Sequence, residues 1–183
     1  MANKKTVQIN QAAEQATQAA VQANKVAVQA NIAAGKTFGP LGILRNVVGS
    51  CVMPQGSNMR FILALCNSNS ETGAYEDLEV GKKWNSAANA YKLLWREKQG
   101  KIVVGQLQFT QVRSDLAIVN CIVKTEGKIV ESAMSVCMDK LAKEVISNSG
   151  SVHMSSATYE EMKSFADQYF INRGINVTVY SAK

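Results

Sequence analysis

Residues 59–66, MRFILALC, limit more than any other stretch what this chain can become. Successive side chains of an extended strand point to opposite faces, and here both faces are apolar save for Arg60. A run of this length and character predicts a buried strand, central and parallel within its sheet. The polar, turn-rich segment 67–73 (NSNSETG) follows directly. It stands at the carboxyl end of that strand, where open α/β sheets place their ligand sites.

The flanking segments alternate between the periods of strand and helix. Residues 37–44 (TFGPLGIL) read as a hinge, and 45–53 as a short strand broken by Gly49. A helical stretch is expected over 75–98, with Leu78, Val80, Trp84, Ala87, Ala88, Tyr91, Leu94 and Trp95 on its apolar face and an interruption near Gly81. Residues 101–112 and 116–123 predict two strands joined by the turn Arg113-Ser114-Asp115. An amphipathic helix follows over 129–147, turning Val130, Ala133, Met134, Cys137, Leu141, Val145 and Ile146 inward. Residues 151–154 predict a short strand, and 159–172 a helix with the stripe Met162, Phe165, Ala166 and Phe170. The closing segment 175–180 (INVTVY) has the β-branched and aromatic residues of a strand. Strands alternating with helices of this length predict an α/β protein whose mixed sheet is flanked by helices on both faces.

Ahead of this body, residues 11–35 repeat every seven positions: QAAEQAT, QAAVQAN, KVAVQAN, IAAG. Alanine, glutamine and lysine favour helix, and neither proline nor glycine interrupts 7–34. A long N-terminal helix is expected, about 40 Å at ~1.5 Å per residue. Ile9, Ala13, Ala16, Ala20, Ala23, Ala27, Ala30 and Ala34 alternate four and three apart, which makes a heptad seam. Alanine buries little area, and at about 25 cal/mol per Å² that area contributes little, so the seam needs a partner that packs closely. The chain is therefore expected to divide into a helical arm over 1–37 and an α/β body over 38–183.

The formal net charge is +6, but the basic residues are dispersed; Lys4-Lys5, Lys82-Lys83 and 92–101 are the main groupings. Dispersal without interleaved aromatics argues against a nucleic-acid partner. The cysteines at 51, 66, 121 and 137 form no CxxC pair, and His153 is the single histidine, so no metal site is expected. The cysteines are expected to be reduced, and most of them buried, as in a cytosolic protein. No apolar run reaches the ~20 residues needed to span a bilayer. The expected location is the cytoplasm, or the host cytoplasm or virion if the source is viral.

The order of the body's segments, with particular words in them, resembles the macro domain, an α/β fold that binds ADP-ribose and in some branches hydrolyses it. The matching words are Val47-Val48-Gly49-Ser50, Leu65-Cys66-Asn67, the stretch from Ala90-Tyr91-Lys92 through Gly105-Gln106-Leu107-Gln108-Phe109, Ile118-Val119-Asn120, Ser151-Val152-His153-Met154, and Val177-Thr178-Val179-Tyr180. The likeness runs over about 45–180 and implies a macro-domain-like sheet. It also implies that Ser50, Asn67, Gly73, Ser155 and Ser156 line the ligand site, with Asn67 facing the distal ribose. Where the family carries an aspartate for the adenine amino group, this chain has Ser50, which loses a charge-assisted acceptor. Its glycine-rich ribose loop is Thr72-Gly73-Ala74-Tyr75 here. The phosphate loop is Ser155-Ser156-Ala157-Thr158, without a glycine to give positive φ.

Each of these residues also has a plainer role. Asn67 can cap a strand end. His153 can be a sheet residue satisfied by hydrogen bonds, since no nucleophile or carboxylate is evident beside it. Ser155, Ser156 and Thr158 can cap the last helix, Thr158 standing three residues before Glu161. The expected function is accordingly a non-catalytic, macro-like structural protein, requiring no cofactor, that docks through its arm onto protein partners or further copies of itself in a larger assembly such as a bacteriophage virion. The alternative is a domain that binds ADP-ribose, or hydrolyses it from proteins with Asn67 at the reacting ribose, as a counter to NAD-based defence. A third reading, nucleic-acid binding through 92–101, would show itself in a steep salt dependence.

Overall fold

The computed structural model describes residues 40–72 and 79–182. The heptad seam from Ile9 to Ala34, the long helix expected over it, and Gly73 lie outside the described residues.

Within them, strand β1 (Leu44–Val48) leads to β2 (Arg60–Asn67), then helices α1 (Glu79–Lys83) and α2 (Asn85–Glu97). Strands β3 (Gln106–Arg113), β4 (Leu116–Thr125) and β5 (Lys128–Ile129) precede α3 (Glu131–Ser147). Strand β6 (Ser151–Ser155), helix α4 (Ser156–Tyr169) and β7 (Val177–Ser181) complete the order. The sheet runs β1-β7-β6-β2-β4-β3, with β5 on the end of β4. Its pairs are parallel except β3–β4 and β4–β5.

β2 has the place its composition demands, parallel to β4 on one side and β6 on the other, and buried from Arg60 through Cys66. Its alternating side chains divide the core in two. Phe61, Leu63 and Leu65 pack with Val119 and Cys121 beneath α3 and α4, against Met134, Leu141 and Met162. Ile62, Ala64 and Cys66 pack with Ile118 and Ile122 beneath α1 and α2, against Val80, Ala87 and Tyr91. The buried Arg60 guanidinium donates to the Pro54 carbonyl (2.6 Å) and the Asp115 carboxylate, satisfying the charge the apolar run carries inward.

Three expectations shift. The helical stretch breaks at Trp84 (φ −117°, ψ 68°) and not at Gly81, which lies buried within α1; the Trp84 indole donates to the Val52 carbonyl at 3.0 Å, fixing the break where the ring must reach across. Ile146 is 53% exposed, because α3 presents Met134, Met138, Leu141, Ala142 and Val145 to the sheet and Ile146 falls one step round the helix. Residues 101–105 stay outside β3, since Gly105 has φ +92° and cannot extend the strand.

All four cysteines are buried, and none of them forms a disulfide. Among the described residues no helix is long and apolar enough to cross a membrane, and no cluster of His, Cys, Asp and Glu could hold a metal.

Candidate functional site

The ladder between β2 and β6 ends at the pair Ile62–His153, while β2 runs five residues further and β6 two. The strands stop pairing toward their carboxyl ends, and that end of a parallel sheet is where ligands are generally held. At about 4.8 Å per strand, the order β1-β7-β6-β2 sets the end of β1 roughly 14 Å from the end of β2.

Asn67 closes β2. A register shift between Cys66 and Asn67 interrupts the pairing with β4 there. Such irregularities re-aim a side chain beside a site. The Asn67 Oδ1 is buried and accepts no hydrogen bond from any described residue. Tyr91, fully buried on α2, donates its hydroxyl to the Asn67 and Ser70 carbonyls, so the orphaned amide rides on a held backbone. Burial, with Cys66 next in effect, pushes the Tyr91 phenol above its ordinary range and keeps it a donor. The segment beyond is tied down as well: Ser68 donates its N–H to the Lys124 carbonyl (2.8 Å), Asn69 Oδ1 accepts from the Glu126 N–H (3.2 Å), and Glu71 pairs with Arg96 (2.6 Å).

Ser50 follows Gly49, whose φ of +150° turns the chain out of β1. Its hydroxyl donates to the Glu79 carboxylate at the start of α1. The same carboxylate acts on Cys51, whose thiol is pushed up to about 11, by burial first and by Glu79 second. An anionic acceptor therefore stands over the Gly49-Ser50-Cys51 turn, supplied from 29 residues away. Its residue type and position on a helix carry no signal of that placement, so sequence reasoning missed it, as it missed the part played by Tyr91.

Ser155 and Ser156 lie at the neighbouring strand end. β6 passes into α4 without an intervening loop: Ser155 is the N-cap, and its Oγ accepts the Thr158 N–H at 3.2 Å. The cap is thus Ser155 and not Thr158, because the strand extends through Ser155 and the helix starts three residues earlier than expected. Glu161 turns instead to Lys124 (2.5 Å). Ser156, in the first turn, is exposed. Gly73 and the seam residues lie outside the description, so the structure brings together Ser50, Asn67, Ser155 and Ser156 along one edge of the sheet.

His153, two residues before Ser155 on β6, is buried. Its ring is held by the Ser151 hydroxyl (2.8 Å to Nε2) and the Tyr180 hydroxyl (3.1 Å to Nδ1). The hydrogen-bonded sheet residue is what the structure contains, but a hydroxyl does stand beside it, contrary to expectation. Ser151 sits two residues back on the same strand and therefore on the same face.

The strand order, with helices on both faces of the sheet, is that of a macrodomain-like fold. A macrodomain protein from Streptomyces coelicolor superposes with TM-score 0.67 at 21% identity, over 76% of this chain and 99% of the other. Two structures from Bacteroides thetaiotaomicron are also similar. One, a protein of unknown function, has TM-score 0.66 and 27% identity over 76% of this chain and 98% of its own. The other, a crystal structure, has TM-score 0.64 and 26% identity over 75% and 99%. No protein-family model and no curated protein matches the chain in sequence.

Proposed function

We propose that the protein binds ADP-ribose, free or attached to another molecule, in the crevice between the carboxyl ends of β2 and β6. The observation that carries this is the Asn67 Oδ1: a buried acceptor with no donor among the described residues, on a backbone clamped by Tyr91, at the end of the sheet where parallel α/β folds receive ligands. A ribose hydroxyl supplies the donor it lacks. Glu79, reaching over Ser50, takes the role of the absent aspartate as acceptor for the adenine amino group. With no glycine loop after β6, the diphosphate meets the amino end of α4, where the Ser156 and Ala157 N–H groups precede the first intrahelical bonds and the helix dipole favours anions.

Calorimetry with ADP-ribose tests this. Micromolar binding that Asn67→Ala abolishes is expected; no heat up to millimolar ligand would overturn it.

The assembly role suggested by the alanine heptads is a second reading. It draws support from the edge strand β1, exposed along its whole length with Leu44, Val47 and Val48 uncovered. An exposed apolar strand edge is a surface that protein partners pair with.

A further inference from the structure

The opposite edge of the sheet holds a cavity of about 520 Å³ that the proposed ADP-ribose site does not use. It opens at the amino ends of β1, β6 and β7. Arg45, Thr178 and His153 form one row across those strands, since Arg45 pairs with Thr178 and Thr178 with His153. Ser57 and Asn58 of the segment before β2, together with Ser151, continue the polar wall. The volume is within the usual range for small-molecule pockets.

The charge balance of the lining is one-sided. Two arginines line the cavity, and no aspartate or glutamate does. Arg173 is already neutralised, its guanidinium 2.8 Å from the Asp139 carboxylate and 5.1 Å from the Tyr169 ring centroid. The Arg45 guanidinium makes no ion pair or hydrogen bond with any described residue. The His153 ring, 2% exposed and tied by two hydroxyls, holds Ser151 in a fixed direction at the wall. One feature opposes an anion, the carboxyl end of α3 with its dipole. Its last carbonyls are occupied: Asn148, Ser149 and Gly150 donate their N–H groups to Glu144, Ile146 and Val145.

We propose that this cavity is a second ligand site, for a small phosphate-bearing molecule, with Arg45 as the charge that draws the phosphate and the surrounding hydroxyls and amides as its hydrogen-bond partners. Guanidinium groups match phosphate oxygens with paired N–H donors, and an uncompensated one in a concave polar wall favours that ligand over a neutral sugar or a cation.

The test is an amide-resolved NMR titration of the full chain with inorganic phosphate, a parallel titration with ribose 5-phosphate, and a chloride control at equal ionic strength. Saturable shifts at Ser57, Asn58, Gly150 and Ser151 are expected in the millimolar range or below. Arg45→Gln should weaken them at least tenfold and Arg45→Lys much less, with the rest of the spectrum unchanged. Tighter binding of ribose 5-phosphate identifies an organic phosphate as the occupant; equal affinity identifies the phosphate group alone. Shifts that match chloride, that persist in Arg45→Gln, or that fall only on residues 155–158 would overturn the proposal. ADP-ribose affinity should be the same in Arg45→Gln as in the unaltered chain, so this site and the crevice stand or fall separately.

Discussion

A buried amide oxygen without a donor costs about 1–3 kcal/mol, and Asn67 bears that cost in the ligand-free chain. Removing the acceptor should relieve the strain while destroying the site. Urea unfolding of ligand-free Asn67→Ala is expected to show stability unchanged or raised by about 1 kcal/mol; a large loss would mean that the side chain holds the fold and not a ligand. Glu79 gives a second handle. Because its carboxylate helps push Cys51 up to about 11, Glu79→Gln should lower the pH at which Cys51 reacts with an alkylating reagent, leaving the larger effect of burial in place. The same change should weaken ADP-ribose about tenfold, as a charged acceptor becomes a neutral one. His153 titrates near 4 and not near 6.5, held down by burial and then by Arg60. Between those values the unfolded chain binds a proton that the folded chain refuses, so stability falls as pH drops from 6.5 toward 4. Above 6.5 the group has no effect. The loss is on the order of 3 kcal/mol, and His153→Gln should flatten that part of the profile relative to the unaltered chain.

At the scale of elements, the join between β6 and α4 does two jobs with one residue. Ser155 ends the strand and caps the helix. Ser155→Ala should cost about 1 kcal/mol, read as a lower urea midpoint at constant slope, and should also loosen the amino end of α4 toward the crevice. The entry to β1 is governed by a close approach. A Cβ on Gly42 would lie 2.0 Å from the Ile175 carbonyl oxygen, and the Gly42 N–H donates to the Ile171 carbonyl at 2.8 Å. Gly42→Ala must therefore push β1 off β7, with a loss of about 2 kcal/mol or more. The break at Trp84 shows the limit of local pattern: helix propensity runs through this position, but the indole bond to Val52 in the loop after β1 decides where the two helices part.

For the molecule as a whole, the two proposed sites lie at opposite ends of the strands of one sheet, so the buried central strands stand between them and neither needs the other. The alanine seam adds a prediction of its own. If Ile9 through Ala34 specify company, the full chain in solution should have a mass larger than one copy, or join a complex, and a chain starting at Lys36 should not. Equal masses and equal incorporation would reduce the arm to a tail.

The amino-acid sequence by itself determined the layered α/β body, because an apolar run such as β2 and the amphipathic stripes of α3 and α4 are local properties that oblige burial wherever they occur. Asn67 was singled out by the family resemblance, at its place directly after that run. What only the tertiary structure decided is which groups meet: Glu79 over Ser50, Tyr91 beneath the Asn67 backbone, Ser151 and Tyr180 on His153, and Arg45 beside a cavity with no ion-pair partner among the described residues. These are relations between distant segments, set by strand order and by the angles at which helices cross the sheet. Residue type at a single position carries no trace of them.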